Sequence, residues 1–366
     1  MRILILGTSN SILRQGWVSG LREALPEDEI VNLSVGASPG TQFGRHLAMD
    51  FSHYDLVFFD SIVNEENFGA LLGPQEFTTQ LIYQIVSSIA AQTRVILLGF
   101  SNKRYFTEDS HHYRKRQEIA ASCGCQFIGM LDLARAHGSR LSTPGQGFFT
   151  DHGSHIRYDL QKHFGFLIGQ TLQTHWTALP AKAPVTNFSS CFVLEDITKN
   201  LPGGQKVQKS NSLMAIDFAK LDGGAAWNFH SPGLCLGFYL AADATKCVIA
   251  MHGGGRTRWK ELWYSQDSAR FQLKFVPIAG GFPLQTLQAM GSAIKPPNAA
   301  VIERSIHSTL PRAGQPDFTD NQLTLMGTLF WLPNAIHLPP PSEAEMAQSR
   351  LLERQISQSI AAALAA

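Results

Sequence analysis

The chain has 366 residues, of which 44% are hydrophobic and 16% charged, and its formal net charge is +1. That length sets a prior of about two domains, with enough apolar sequence for sizeable cores. The balanced charge speaks against a nucleic-acid partner, the lack of a run of about 18 apolar residues speaks against a membrane span, and Ser9, Asn10 and Arg14 interrupt the start of the chain where a secretion signal needs an unbroken apolar stretch.

The first half alternates strand-like and helix-like segments. Met1–Leu6 reads as a strand and leads into Gly7-Thr8-Ser9-Asn10-Ser11, a small-residue turn. Leu13, Trp17, Leu21 and Leu25 then recur four apart, the stripe of an amphipathic helix. Glu29–Val35 is a second strand, followed by Gly36. Asp55–Phe59 and Arg94–Gly99 are apolar runs, as expected of strands covered on both faces. Helical spacing over Phe77–Ala91, Tyr113–Ser122 and Ser154–Thr174, with a strand over Gln126–Leu133, completes the alternation. The basic run Tyr113-Arg114-Lys115-Arg116 reads as a solvated helix face. Together these segments predict a three-layer α/β/α domain with a parallel sheet over residues 1–178.

Leu179–Pro184 reads as a linker, and the pattern changes after it. Phe271, Leu273 and Phe275 alternate with polar residues, and Leu234–Leu240, Cys247–Met251 and Leu323–Leu332 are further strands between turn-rich segments. No helical pattern falls between 190 and 335, so residues 185–338 are expected to form an all-β sandwich or jelly-roll-like domain. Trp259, Trp263 and Tyr264 either stack on sugar rings or fill that domain's core. Ser342-Glu343-Ala344-Glu345 is a capping box that opens a terminal helix over 342–366, whose Leu352, Ile356 and Ile360 stripe is expected to pack on the body or on a partner. The five cysteines, 123, 125, 191, 235 and 247, are odd in number and irregularly spaced. They read as reduced, buried thiols in a reducing compartment, and the expected location is the cytoplasm.

A serine that attacks an acyl carbon needs a base, a group to orient the base, and donors for the developing oxyanion. Ser9 follows the first strand, where a hydroxyl stands at the top of a sheet. Gly36 ends the second strand, and a glycine N–H can approach a ligand closely. Asn64 lies just beyond the third strand, at the carboxyl end where α/β ligand sites form. Asp151 and His155 precede the last helix of the first half. Residues four apart are neighbours on a helical turn, so Asp151 is expected to bind one imidazole nitrogen while the other faces Ser9. His152 and His155 lack an evident third ligand for a metal, and no dinucleotide or P-loop pattern is present, so no metal and no cofactor are expected.

These four blocks, in this order, resemble the SGNH or GDSL-like hydrolase superfamily over roughly residues 1–175. Its blocks run Gly-Asp-Ser, a glycine, Gly-x-Asn-Asp, and Asp-x-x-His before the last helix. The resemblance implies a flavodoxin-like sheet order, Ser9 as nucleophile, and Asp151 and His155 as the rest of a triad. It also implies an oxyanion hole made of the Ser9 and Gly36 N–H groups and the Asn64 side chain. The chain departs from the pattern at Thr8, where the family has Asp, and at Ile62 and Glu65, where it has Gly and Asp. The Asp–His separation is one residue longer. His152 is the alternative base, less favoured because it directly follows Asp151 and adjacent residues do not face each other on a helix.

Two motifs are decoys. Gly36-Ala37-Ser38-Pro39-Gly40 matches a nucleophile elbow, but only two strands precede it, and Pro39 has no N–H to donate. His252-Gly253-Gly254-Gly255 matches an oxyanion loop but lies far downstream, and reads as a loop between strands. The function implied is hydrolysis of acyl esters, O-acetyl groups on a saccharide being the favoured substrate. The alternatives are an O-acyltransferase using the same residues and a non-catalytic carbohydrate-binding protein on a degraded scaffold.

Overall fold

Apolar segments too short to stand alone pair into one parallel sheet. The computed structural model describes residues 1–36, 38–68, 75–141, 147–180, 191–199, 201, 204–263, 271–291, 296–298, 301–303, 322–332 and 340–365. The sheet contains β1 (Arg2–Leu6), β2 (Glu29–Asn32), β3 (Leu56–Phe59), β4 (Arg94–Leu98) and β5 (Gln126–Ile128), in the order β2-β1-β3-β4-β5. All four residues of β3 are buried, as a strand covered on both faces requires. The connecting helices are α1 (Ser9–Ile12), α2 (Trp17–Ala24), α3 (Ile62–Phe68), α4 (Gln75–Ala90), α5 (His111–Ser122), α6 (Met130–Leu141) and α7 (Tyr158–His175). One sheet face presents Leu4, Val57 and Leu97 to α4 and α5 residues such as Ile82, Val86 and Ile119. The other presents Ile3, Ile5 and Phe58 to Trp17, Leu21, Leu133 and Phe164. With this strand order the direction of winding changes between β1 and β3, the point beyond whose carboxyl ends open α/β sheets bind ligands.

In the first half, three sequence expectations need correction. The expected helix after Ser9 is two helices, interrupted at 13–16 with Gly16 as the N-cap of α2. The strand expected over Gln126–Leu133 stops at Ile128, and α6 begins at Met130. An apolar run fits either element, and the helical recurrence of Met130, Leu133, Ala134 and His137 was the signal that separates them. The helix expected from Ser154 starts at Tyr158 instead.

Helices α2 and α7 meet backbone to backbone. A Cβ at Gly20 would fall 1.9 Å from the Lys162 carbonyl oxygen, and one at Gly165 1.9 Å from that of Trp17. Gly165→Ala is therefore expected to push the helices apart and cost about 1–3 kcal/mol or more, read as a fall in the chemical denaturation midpoint.

The β region comprises β6 (Phe192–Asp196), β7 (Gln205–Ser210), β8 (Ala215–Leu221), β9 (Ala226–Asn228), β10 (Leu234–Ala241), β11 (Lys246–Gly253), β12 (Arg256–Trp263), β13 (Leu273–Phe282), β14 (Thr286–Ala289), β15 (Ile302–Glu303) and β16 (Leu323–Trp331). An inner sheet runs β13-β10-β16-β8-β7, with β6 also on β16, and an outer sheet runs β15-β12-β11-β14-β9. Phe238, Leu240, Ile249, Leu262 and Phe330 fill the space between the two sheets. The other face of the inner sheet shares a core with the first half: Phe192, Tyr239, Phe275 and Leu329 cluster with Phe43, Phe59 and Ile82. Gln84 of α4 accepts the N–H groups of Cys191 and Phe192 at 3.0 and 3.1 Å, and the Tyr239 hydroxyl donates to the Thr41 carbonyl at 2.6 Å. The expected linker lies largely outside the described residues.

The capping box at Ser342 forms with both of its bonds, opening α8 (Glu343–Ser349), and α9 (Leu351–Ala365) follows. The expected single helix is thus broken at Arg350. Leu352, Ile356 and Ile360 join the core of the first half, and Glu353 accepts the Gly129 N–H at 2.6 Å. The chain end thereby returns to the parallel-sheet layer. All five cysteines are buried and none forms a disulfide. Among the described residues no helix is long and apolar enough to cross a membrane.

Candidate active site

Ser9 is the first residue of α1, directly beyond β1, and is half-buried. The turn that delivers it is tight. A Cβ at Gly7 would sit 2.2 Å from Ser11 Oγ, so only glycine fits there. Thr8 occupies the N-cap position but makes no capping bond. Its N–H and hydroxyl donate instead to Asp60 Oδ2, at 3.3 and 3.2 Å, and Ser11 Oγ donates to the same oxygen at 3.0 Å. Asp60 stands at the carboxyl end of β3 and is 1% exposed. Burial raises its pKa to about 6, against the opposing pull of the Thr8 and Ser11 donors. A carboxylate beneath the Ser9 turn thus comes from the neighbouring strand.

His155 reaches Ser9 from the other side: its Nε2 lies 2.9 Å from Ser9 Oγ. The segment carrying it is a hairpin-like loop, closed by a bridge between Phe149 and Ile156. Thr150 donates its N–H to the His155 carbonyl at 2.9 Å, and the Lys103 N–H donates to the Gly153 carbonyl at 2.7 Å. Gln161, on α7, fastens this loop to the Ser9 segment by donating to the Ile156 carbonyl at 2.8 Å and to Asn10 Oδ1 at 3.2 Å. Burial, then the neighbouring His152, holds the His155 pKa below its ordinary 6.5, so the ring is neutral at pH 7.

The structure does not bring Asp151 to His155. Asp151 is exposed and makes neither a hydrogen bond nor an ion pair with that ring, and no described residue accepts a bond from His155 Nδ1. The helical-turn argument for the pair does not apply, because α7 begins after both residues and the loop turns Asp151 outward. His152 is exposed and lies against the His155 ring, with centroids 5.7 Å apart and planes 17° from parallel. It makes no hydrogen bond to Ser9.

Gly36 and Asn64 follow the strands flanking β1, so Ser9, Gly36 and Asn64 leave adjacent strands at the same end of the sheet. The Ser34–Val35 segment is tied to the turn before Ser9: Gly7 N–H donates to Ser34 Oγ at 3.0 Å and Val35 N–H to the Gly7 carbonyl at 2.9 Å. Neither Ser9 nor Gly36 uses its N–H on another described residue. Asn64 is 4% exposed, and its side-chain Nδ2 has no partner among the described residues. A buried amide donor left unmade costs free energy unless a ligand completes it.

Its neighbours anchor α3. Glu65 pairs with Arg116 of α5, and Glu66 accepts bonds from Ser101, Asn102 and Ser110. Arg116 is therefore 2% exposed, which corrects the expectation of a solvated face over Tyr113–Arg116. Glu65 serves this buried pair.

The decoys have structural roles. Ser38 is 1% exposed and its Oγ donates to the Gly36 carbonyl at 3.1 Å. Gly254 and Gly255, at φ 57° and 71°, form the two-residue turn between β11 and β12. That turn needs positive φ twice, which glycine supplies. Trp259 is half-buried on β12 of the outer sheet, and the Trp263 side chain and Tyr264 lie outside the described residues.

Sequence reasoning gave no role to Asp60 or Gln161. A carboxylate closing the apolar run of β3 was the available signal for the first; nothing local marks the second. Asp60→Ala leaves the Thr8 N–H without its acceptor and is expected to cost about 1–3 kcal/mol of stability in urea denaturation.

No protein-family model and no curated protein sequence matches the chain. Among solved structures, a two-domain esterase active on acetylated mannans superposes with a TM-score of 0.53 at 11% identity, covering 92% of this chain and 92% of that one. An acetyl xylan esterase matches 49% of this chain and 100% of its own at 12% identity and a TM-score of 0.38. A psychrotrophic esterase from Pseudoalteromonas sp. matches 48% of this chain and 98% of its own, at 18% identity and a TM-score of 0.36. Over almost its whole length the chain therefore shares the fold of the two-domain esterase, a parallel-sheet α/β half joined to a β domain.

Proposed function

We propose that the protein is a serine esterase that removes acyl groups, acetyl above all, from a carbohydrate through an acyl-Ser9 intermediate. The observation that carries this reading is the 2.9 Å contact between Ser9 Oγ and His155 Nε2 at the carboxyl end of a parallel sheet. As Oγ attacks the ester carbonyl, Nε2 takes the serine proton. The Ser9 and Gly36 N–H groups and the Asn64 amide then receive the tetrahedral oxyanion. Collapse breaks the bond to the sugar oxygen, which takes the proton from His155 and leaves as a hydroxyl. Water repeats the sequence on the acyl-enzyme and releases the acid. Asp151 has no part in this scheme.

The carbohydrate half of the proposal has two supports. One is the shared architecture with the esterase active on acetylated mannans. The other is a cavity of about 310 Å³ beside Gly36, lined by Ile12, Gly36, Asn211, Met214, Gln272 and Lys274 from both halves of the chain. The five buried thiols, none in a disulfide, support a reducing compartment such as the cytoplasm.

The test is hydrolysis of 4-nitrophenyl acetate and release of acetate from acetylated mannan, with organophosphonate labelling located by mass spectrometry. Turnover with the label on Ser9 supports the esterase. Absence of turnover together with an unlabelled serine overturns it in favour of a binding protein. Acylation of an added saccharide faster than hydrolysis makes the protein an O-acyltransferase. Asn64→Ala is expected to lower kcat by about 10²–10³-fold, the usual loss for one oxyanion donor.

The base must be neutral to accept the serine proton, and burial lowers its pKa. The acid limb of kcat/KM is therefore expected to have its midpoint below 6.5, activity rising as pH rises through it. A midpoint above 7 in a pH–rate profile would contradict the lowered value.

A further inference from the structure

We propose that Lys274 is a positioning residue for Gly36, so that the β region completes the candidate oxyanion site as well as bordering its cavity. The inference rests on the esterase reading above. Lys274 lies near the start of β13, the edge strand of the inner sheet. Its ammonium donates to the Gly36 carbonyl oxygen at 2.6 Å, across 238 residues of sequence. Ser38 Oγ donates to the same oxygen at 3.1 Å, so this one carbonyl is held from two sides.

The holding matters because of where Gly36 sits. It follows the last paired residues of β2 and precedes the 3-10 turn Gly40–His46, so no regular element fixes its backbone. Steric crowding does not fix it either. A Cβ at Gly36 would meet only the Ile12 Cδ1 end, at 2.9 Å, and its φ is not positive. Its orientation therefore depends on tethers. Within the first half these are Ser38 and the Val35 N–H bond to Gly7. From the β region come Lys274 and, further along the same segment, Tyr239 on the Thr41 carbonyl. An oxyanion donor acts only if it is held in place before the reaction, and a displacement of about 1 Å can cost about 10²-fold.

The bond is charge-assisted, hence stronger and shorter than a neutral one. Lys274 is 4% exposed, and burial lowers its pKa to about 8. Burying a lysine carries a desolvation cost that an apolar residue of the same length would avoid.

The test compares wild type, Lys274→Met and Lys274→Arg on 4-nitrophenyl acetate, an ester too small to need a saccharide subsite. The proposal expects Lys274→Met to lower kcat by about 10–100-fold with KM within about 3-fold. It also expects Lys274→Arg, which keeps a cationic donor, to recover part of the loss. Circular dichroism on the same samples ensures that folded protein is compared. Lys274→Met with kcat within about 3-fold of wild type overturns the proposal, and so does a raised KM at unchanged kcat, which would make Lys274 a substrate-binding group. Failure of the wild type itself to hydrolyse the ester would instead strike the esterase reading.

Discussion

Ser9→Ala is expected to lower kcat on a small acetyl ester by about 10⁴-fold or more, while the thermal midpoint moves by only about 2–4 °C. The two magnitudes differ because the hydroxyl has two unequal roles. In the resting fold it makes one half-buried bond to His155, worth about 1 kcal/mol. In the proposed reaction it is the atom that forms the acyl bond, and no neighbour substitutes for it. Ser11 is two residues away and already engaged with Asp60 and the Trp17 indole. Ser38 is buried and turned to the Gly36 carbonyl. Steady-state rates on the purified variant, with a differential scanning scan of the same sample, measure both numbers. A variant retaining a tenth of wild-type kcat would remove Ser9 from the chemistry.

His155→Ala is expected to lower kcat by a similar factor, about 10⁴-fold, and the contrast with Asp151→Ala is the sharper result. In a triad with a buried acid, losing the acid's charge also costs about 10⁴-fold, because the imidazole is left in the wrong tautomer. Here Asp151 is exposed and makes no bond to the ring, so Asp151→Ala is expected to change kcat by less than about 3-fold. The ring's placement rests on the loop instead: the Phe149–Ile156 bridge, the Thr150 bond to the His155 carbonyl, and Gln161 fastening that loop to Asn10. His152→Ala separates the two histidines. It is expected to leave kcat nearly intact and to raise the His155 pKa slightly, because His152 is one of the two causes lowering it. A 10³-fold loss in Asp151→Ala would restore the triad and require the loop to refold around substrate.

The placement of the proposed site was legible in the sequence. Ser9, Gly36 and Asn64 each follow an apolar run, and runs that end at one edge of a parallel sheet bring their next residues to the same end of it. The Asp151–His155 pairing failed for a related reason. It assumed that the segment was already helical, and i, i+4 contact holds only on a helix. The Arg116 expectation failed because a charge run looks alike whether it meets water or a buried Glu65 from another helix.

By itself the sequence determined what repeats locally. The alternation of strand and helix, the period-two strands of the β region and the capping box at Ser342 all arise from neighbours within a few residues, where periodicity is a physical signal. The tertiary structure alone decided what spans the chain: Asp60 beneath Thr8 at 52 residues, His155 on Ser9 at 146, Lys274 on Gly36 at 238, and the return of α9 to the parallel-sheet core. Such bonds join single polar atoms, which impose no pattern on the residues around them. Only packing the parallel sheet, its helices and the inner β sheet together brings those atoms within reach.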